Sequence, residues 1–135
     1  MFKVKDFMRS PVVTTTPETP IFDAIRLLAS RCLSGLPVVD EDLQLVGLLS
    51  EKDVLHLLSE HEDSLDMTVQ DLMTHAPISF ESTDSLIDVC DCLVLNSFRR
   101  VPITEQGRLV GIVSRSDVIQ AILKIKRQLP QAIAV

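Results

Sequence analysis

A chain of 135 residues, 46% hydrophobic and 24% charged, can form one domain or two small units sharing a core, and is too apolar to be a disordered tail. Its net charge of −6 and pI near 4.9 argue against a nucleic-acid binder, whose affinity comes mainly from cations that neutralise phosphates. No stretch approaches the roughly 18 to 20 unbroken apolar residues of a membrane span, and the opening MFKVKDFMRS lacks the apolar middle of an export signal; the expectation is a soluble, cytoplasmic protein with neither nucleic acid nor membrane as partner.

The first predicted strand is PVVTT, Pro11–Thr15, short and β-branched. In the PETP that follows, Thr19 is placed to cap a helix whose first position is Pro20. Ile21, Ile25, Leu28 and Cys32 fall on one stripe of that helix. LPVVD then gives a brief strand from Leu36, EDLQ a turn, and LVGLL a second strand, so that a hairpin follows the helix. Another helix begins near Glu51, and the polar, acidic SEHEDSLDMT, Ser59–Thr68, has the composition of a connecting loop. The same order then returns: a helix with Leu86, Cys90, Leu93 and Ser97 on one stripe, VPITEQGR running into LVGIV, and a last helix from Arg115. Lys124, Lys126 and Arg127 suit the negative end of its dipole, and Pro130 stops it.

The chain is a tandem repeat. A shift of 65 residues matches Val4 to Val69, Asp6 to Asp71, Met8 to Met73, Asp23 to Asp88, Leu28 to Leu93 and Pro37 to Pro102. One residue is then lost in a loop, and a shift of 64 makes six of the twelve positions from Gln44 to Leu55 identical to Arg108–Ile119. Self-similarity at a fixed period indicates two copies of one supersecondary unit. Three strands and two helices make a thin core, marginal alone at about 60 residues. The two copies are therefore expected to pack on each other about a pseudo-twofold axis, with clefts at their junction.

Cysteine and histidine offer no metal chemistry. Three cysteines without an export signal are thiols rather than a disulfide framework. In a helix the C-x-C of Cys90 and Cys92 would point its sulfurs about 200° apart, so the two could not grip one ion. His56, His61 and His75 lack ligand spacing.

The βαββα order occurring twice, with SGLPVVD entering the first hairpin and G-apolar-apolar-S-x-x-D closing both, resembles a pair of CBS domains, the arrangement called a Bateman module. The resemblance covers about Val4 to Leu129 and implies an α/β (α+β) fold. Repeat 1 would span residues 1–60, a linker 61–68, repeat 2 residues 69–129 and a tail 130–135, the repeats forming one module. It further implies adenosine-containing ligands (AMP, ADP or ATP, with S-adenosylmethionine or NAD as further members) bound in the clefts between paired units. Sensing rather than catalysis is the family's usual work.

The serine-to-aspartate phrase supports two compatible readings. Ser114 can cap the last helix while Asp117, at its third position, completes a capping box, which needs no ligand. The same strand-to-helix turn also presents N–H groups and a positive dipole end suited to phosphate, and an ionised Asp117 can accept both ribose hydroxyls. Within the resemblance Ser114, Ser116 and Asp117 match positions that touch phosphate and ribose, and Ile112 matches one lining the adenine pocket. Gly111, lacking a Cβ, permits close backbone approach, for a ligand or for packing.

The copies differ. Where the second has Arg115 and Ser116 the first has Glu51 and Lys52, and where the second has Arg99 and Arg100 the first has Ser34 and Gly35. An arginine fork can bond two phosphate oxygens at once, and the resemblance implies that basic residues just before this strand can reach phosphate, which makes Arg99 and Arg100 candidates, with solvated surface arginines as the alternative. Glu51 would repel a phosphate unless Lys52 is the side chain that faces it, so the Asp117 site is expected to bind more tightly than the Asp53 site, where Ser50 and Asp53 keep only the ribose-and-cap chemistry. By the resemblance, the base would lie against Val13, Leu33 and Ser34 in one cleft and against Ile78 and Phe98 in the other; plain core is the competing reading. Without Trp or Tyr, adenine would be held by aliphatic enclosure and backbone hydrogen bonds.

The sequence holds no nucleophile beside a base, no paired acids near a histidine, and neither GxGxxG nor GxxxxGK[ST], so no enzyme is expected. The expected function is a regulatory adenine-nucleotide sensor that reports to an unidentified effector protein or to a second copy, as a homodimer formed through its helices. The alternative is an interaction module without ligand, whose helix faces and apolar tail QAIAV mediate oligomerisation.

Overall fold

The computed structural model describes residues 2–60 and 66–128. Most of the expected linker, His61, the helix stop at Pro130 and the tail QAIAV lie outside the described residues. The architecture is mixed α/β, with two three-stranded sheets ordered β1-β2-β3 and β4-β5-β6. Contacts divide the chain into two compact units, one of Val12–Ile78 with Gln106–Leu109, the other of Met1–Pro11, Ser79–Glu105 and Val110–Val135.

In the first-copy unit, α1 (Ile21–Arg31) buries Ile21, Ala24 and Leu28. Cys32 ends it in the left-handed region at φ 51°, its N–H reaching the Leu28 and Ala29 carbonyls. Because the chain leaves the helix there, Cys32 is exposed rather than part of the buried stripe. Nor does Thr19 cap this helix: its hydroxyl lies 2.7 Å from that of Thr16, and Pro20 occupies the cap. β1 (Gly35–Val39) is buried throughout and pairs antiparallel with β2 (Leu45–Ser50) from Gly35↔Ser50 to Val38↔Gly47, with a bulge between Val38 and Val39. β2 leads directly into α2 (Glu51–Glu60). After the linker, α3 (Val69–Leu72) and β3 (Thr74–His75) return, β3 pairing antiparallel with β2 through Leu48↔Thr74 and Gly47↔His75. Ile21, Leu36, Val38, Leu49 and Val69, all 0% exposed, form the centre of this unit's core.

The second-copy unit repeats the design. A short 3-10 helix, Val4–Asp6, precedes β4 (Phe80–Glu81), α4 (Leu86–Leu95), β5 (Arg100–Glu105), β6 (Arg108–Ser114) and α5 (Arg115–Gln128). β4 runs parallel to β5, Phe80 facing Ile103. In the first copy this pairing shrinks to a single bridge, Thr15↔Val38, because Pro17 stands where Ser82 of the second copy donates its N–H to the Thr104 carbonyl, and proline has no N–H to give. The predicted strand PVVTT is therefore one paired residue. α4 buries Leu86, Val89 and Leu93, while Ser97 lies beyond its end. β5 and β6 are joined by Gln106 and Gly107 at φ 53° and 81°, the two positive values a two-residue hairpin requires. The first copy's longer turn is closed by Asp40, whose carboxylate accepts from the Asp42 and Gln44 amides at 2.9 Å; the residue lost between the repeats is lost here.

Each unit is completed by a segment that the sequence repeat assigns to the other copy. Val69–His75 lies in the first-copy unit and Met1–Pro11 in the second-copy unit. Val4 and Val69, matched in the repeat, are both 0% exposed. Arg9 bridges Ile112, its N–H donating to the Ile112 carbonyl at 2.9 Å and its carbonyl accepting from the Ile112 amide at 3.1 Å, the same register as Thr74↔Leu48. The glycines of the repeated phrase make room for these segments. A Cβ on Gly111 would lie 2.5 Å from Met8 Sδ and 3.1 Å from the Arg9 carbonyl, and one on Gly47 2.4 Å from Met73 Sδ and 3.0 Å from the Thr74 carbonyl. Packing, the second of the two readings of Gly111, is what the space is used for.

Candidate functional site

β2 and β6 each end on a serine that starts a helix, and both turns are locked by a reciprocal pair of bonds. The Ser50 amide donates to Asp53 Oδ2 at 2.9 Å and the Asp53 amide to Ser50 Oγ at 3.2 Å. The Ser114 amide donates to Asp117 Oδ2 at 2.9 Å and the Asp117 amide to Ser114 Oγ at 3.2 Å. These are capping boxes with aspartate as the returning acid. Each uses Oδ2 in the cap, while a carboxylate offers two oxygens and about four lone-pair sites. The cap therefore fixes the aspartate and leaves Oδ1 to act.

Oδ1 faces different groups in the two copies. Arg9 Nε donates to Asp117 Oδ1 at 2.6 Å, forming an ion pair with a carboxylate side chain that is only 6% exposed. Asp53 has instead the Thr74 hydroxyl, at a loose 3.5 Å from Oδ1 and 3.4 Å from Oδ2. Arg9 and Thr74 escape a residue-type reading because both lie far from the serine phrase. The available signal was their match under the shift of 65, each following a matched methionine.

Three amides of each turn are already committed. Besides the Ser114 and Asp117 N–H groups, that of Arg115 donates to the Arg99 carbonyl at 3.0 Å, as that of Glu51 does to Ser34. The helix N-terminus thus presents less to a phosphate than the sequence suggests, and side chains must carry more of any anion recognition. Ser116 Oγ lies 3.0 Å from Ser114 Oγ, and Arg115 Nη2 reaches the Asn96 carbonyl at 3.4 Å. The Arg115–Arg99 backbone bond brings Arg99, and with it Arg100, to the same strand-to-helix turn. In the first copy Lys52 is exposed in the equivalent turn. Ser34 Oγ is shielded from solvent without a hydrogen-bond partner among the described residues.

The apolar candidates divide. Ile112 is buried at 9% exposure on β6. Val13 and Leu33 pack against the first-copy core, and Phe98 against the second-copy core. Ile78, 49% exposed, does not share their packing.

No group of three or more potential metal ligands occurs among the described residues, nor is any described helix long and apolar enough to cross a membrane. All three cysteines are free. Burial, and secondarily the negative charge of Asp91, raises the Cys90 thiol above its ordinary pKa. The neutral thiol is the form favoured by the fold, a stabilisation complete below the unfolded pKa and lost as pH rises through the folded one. Iodoacetamide at pH 8 followed by peptide mapping should modify exposed Cys32 before Cys90; a faster Cys90 would contradict this environment.

The protein-family model for the CBS domain matches residues 4–60 and again residues 69–124. The chain is a tandem pair of CBS domains. It is 34% identical to the CBS domain-containing protein CBSX1, chloroplastic, of Arabidopsis thaliana over 94% of its own length. It spans 66% of the length of CBSX1 and of its relative CBSX2. Among solved structures, CBSX2 of Arabidopsis thaliana in complex with AMP superposes with a TM-score of 0.86 at 35% identity, covering 94% of this chain and 100% of that one. The CBS domain pair of protein MJ0100, in complex with 5'-methylthioadenosine and S-adenosyl-L-methionine, gives 0.80 at 25% identity over 93% of this chain and 98% of that one. In this chain each CBS repeat carries a capped aspartate, and the two differ in the group that faces it.

Proposed function

We propose that this CBS pair is a regulatory module that senses adenosine nucleotides, AMP, ADP or ATP, at the serine-to-aspartate turns of its two repeats. The observation that carries the reading is the pair of aspartates, each anchored by one carboxylate oxygen and directing the other out of the cap. A rigid acceptor of this kind suits the two hydroxyls of a ribose. Arg99, Arg100, Arg115 and Ser116 in the second repeat and Lys52 in the first supply cations and a hydroxyl for phosphate, and Ile112 an aliphatic wall for the base. Ser34 Oγ, shielded and without a hydrogen-bond partner among the described residues, gains from a polar ligand atom, since an unsatisfied buried hydroxyl costs about 1–3 kcal/mol. The ligands of the CBSX2 and MJ0100 structures, AMP, 5'-methylthioadenosine and S-adenosyl-L-methionine, share the adenosine group this chemistry fits.

The module works in the cytoplasm without catalysis. Ligand shifts it between two states for which it has different affinities, and an effector protein or a second copy reads the change. Leu58 of α2 at 94% exposure and Val94 and Leu95 of α4 at 82% each provide apolar helix surface for a homodimer. The same surface favours the second reading, an interaction module without ligand.

Thermal unfolding followed by circular dichroism, with and without millimolar AMP, ADP, ATP, S-adenosylmethionine or NAD, separates the two. A ligand at 100 times its Kd that binds only the folded state adds about 2.7 kcal/mol, a rise of several degrees for a domain of this size. The sensor gives that rise with at least one adenine nucleotide; the interaction module gives none.

A further inference from the structure

We propose that Arg9 sets the order in which the two CBS repeats take nucleotide, by competing with the ligand for Asp117 so that the Asp53 site fills first. This rests on the nucleotide reading above, and it reverses the order expected from Arg99 and Arg100.

The two aspartates are built alike up to one group. Each gives Oδ2 to its cap at 2.9 Å. At Asp117 the remaining oxygen holds a guanidinium at 2.6 Å; at Asp53 the matching residue is a neutral threonine hydroxyl no closer than 3.4 Å. A ribose hydroxyl arriving at Asp117 must displace a charge-assisted hydrogen bond, whereas at Asp53 it displaces a long, neutral one. The Arg9 backbone is bonded in both directions to Ile112 on β6, which keeps the guanidinium within reach of Asp117. The Arg9 side chain is 72% exposed, so the pair is partly screened and the handicap is a moderate one, about two- to fivefold in affinity.

The test is calorimetric titration of AMP into the full chain. Asp53→Ala leaves Asp117 as the remaining cap aspartate, and adding Arg9→Thr, which installs the residue type that faces Asp53, should tighten AMP about two- to fivefold. In the Asp117→Ala background Arg9→Thr should change nothing. Melting temperatures verify folding, and Arg9→Gln, which keeps the side chain's length without its charge, repeats the test should Arg9→Thr not fold. Unchanged affinity at the Asp117 site would overturn the proposal while leaving the nucleotide reading intact. Weaker AMP binding in Arg9→Thr would overturn it as well and make Arg9 a group that holds ligand. Absence of binding by AMP, ADP and ATP alike in the wild type and in every variant overturns the nucleotide reading itself, and this inference with it.

Discussion

Replacing Asp53 and Asp117 together by alanine should abolish stabilisation by AMP, removing the roughly 2.7 kcal/mol that the wild type gains at 100 times Kd. The double change removes from both turns the carboxylate that the cap anchors. It also removes the acid half of two capping boxes, each worth about 1 kcal/mol, so the ligand-free variant should itself melt several degrees lower. The two effects separate cleanly when each variant is compared with itself in the presence and absence of AMP. A double variant that melts lower yet retains the full AMP-induced rise would place the ligand elsewhere and reduce the repeated serine and aspartate to helix caps.

Val4→Ala should destabilise the second-copy unit by about 2 kcal/mol, as expected for deleting two methyl groups from a fully packed site. The sequence repeat places Val4 in the first CBS copy, but its side chain, 0% exposed, lies in a cluster with Leu86, Val89, Ile103 and Val113 of the second. The backbone around it is tied to the same unit, Val4 N–H to the Asp84 carbonyl at 2.9 Å and Lys5 N–H to that of Ser82 at 3.0 Å. Hydrogen exchange resolved by segment locates the effect: amides of α4, β5 and β6 should lose protection before those of α1, β1 and β2. Loss of protection in the first-copy segments alone would show that Val4 stabilises the repeat it belongs to by sequence.

These expectations show which physical signals a sequence carries locally. The hairpins, the helix starts at Glu51 and Arg115, and both capping boxes were legible because periodicity, turn residues and caps act over a few neighbouring positions. Short-range geometry also explains the misses: Cys32 sat in phase with the buried stripe, but the helix ended at its left-handed backbone, and Thr19 found Thr16 instead of the helix amides. The exchange of the Val4–Arg9 and Val69–His75 segments was not legible. A repeat alignment reports which residues correspond, while the unit each segment completes is decided by which sheet edge offers unpaired N–H and C=O groups. Gly47 and Gly111 carried that information, since each is missing the one atom that would block the incoming segment. For the site, Asp53 and Asp117 were named by spacing, whereas Arg9 entered only when β6 brought residue 9 beside residue 112. A charge-for-hydroxyl difference between matched positions is visible in the sequence; its target is visible only in the fold.

The most direct test of the account is calorimetric titration of AMP into the purified full chain and into the Asp53→Ala, Asp117→Ala double variant. The wild type should release or absorb heat that saturates with AMP, and the double variant should give only the heat of dilution. Absence of saturable heat from the wild type at millimolar AMP, and equally with ADP and ATP in its place, or saturation of equal affinity in the double variant, would contradict the assignment of nucleotide sensing to these two turns.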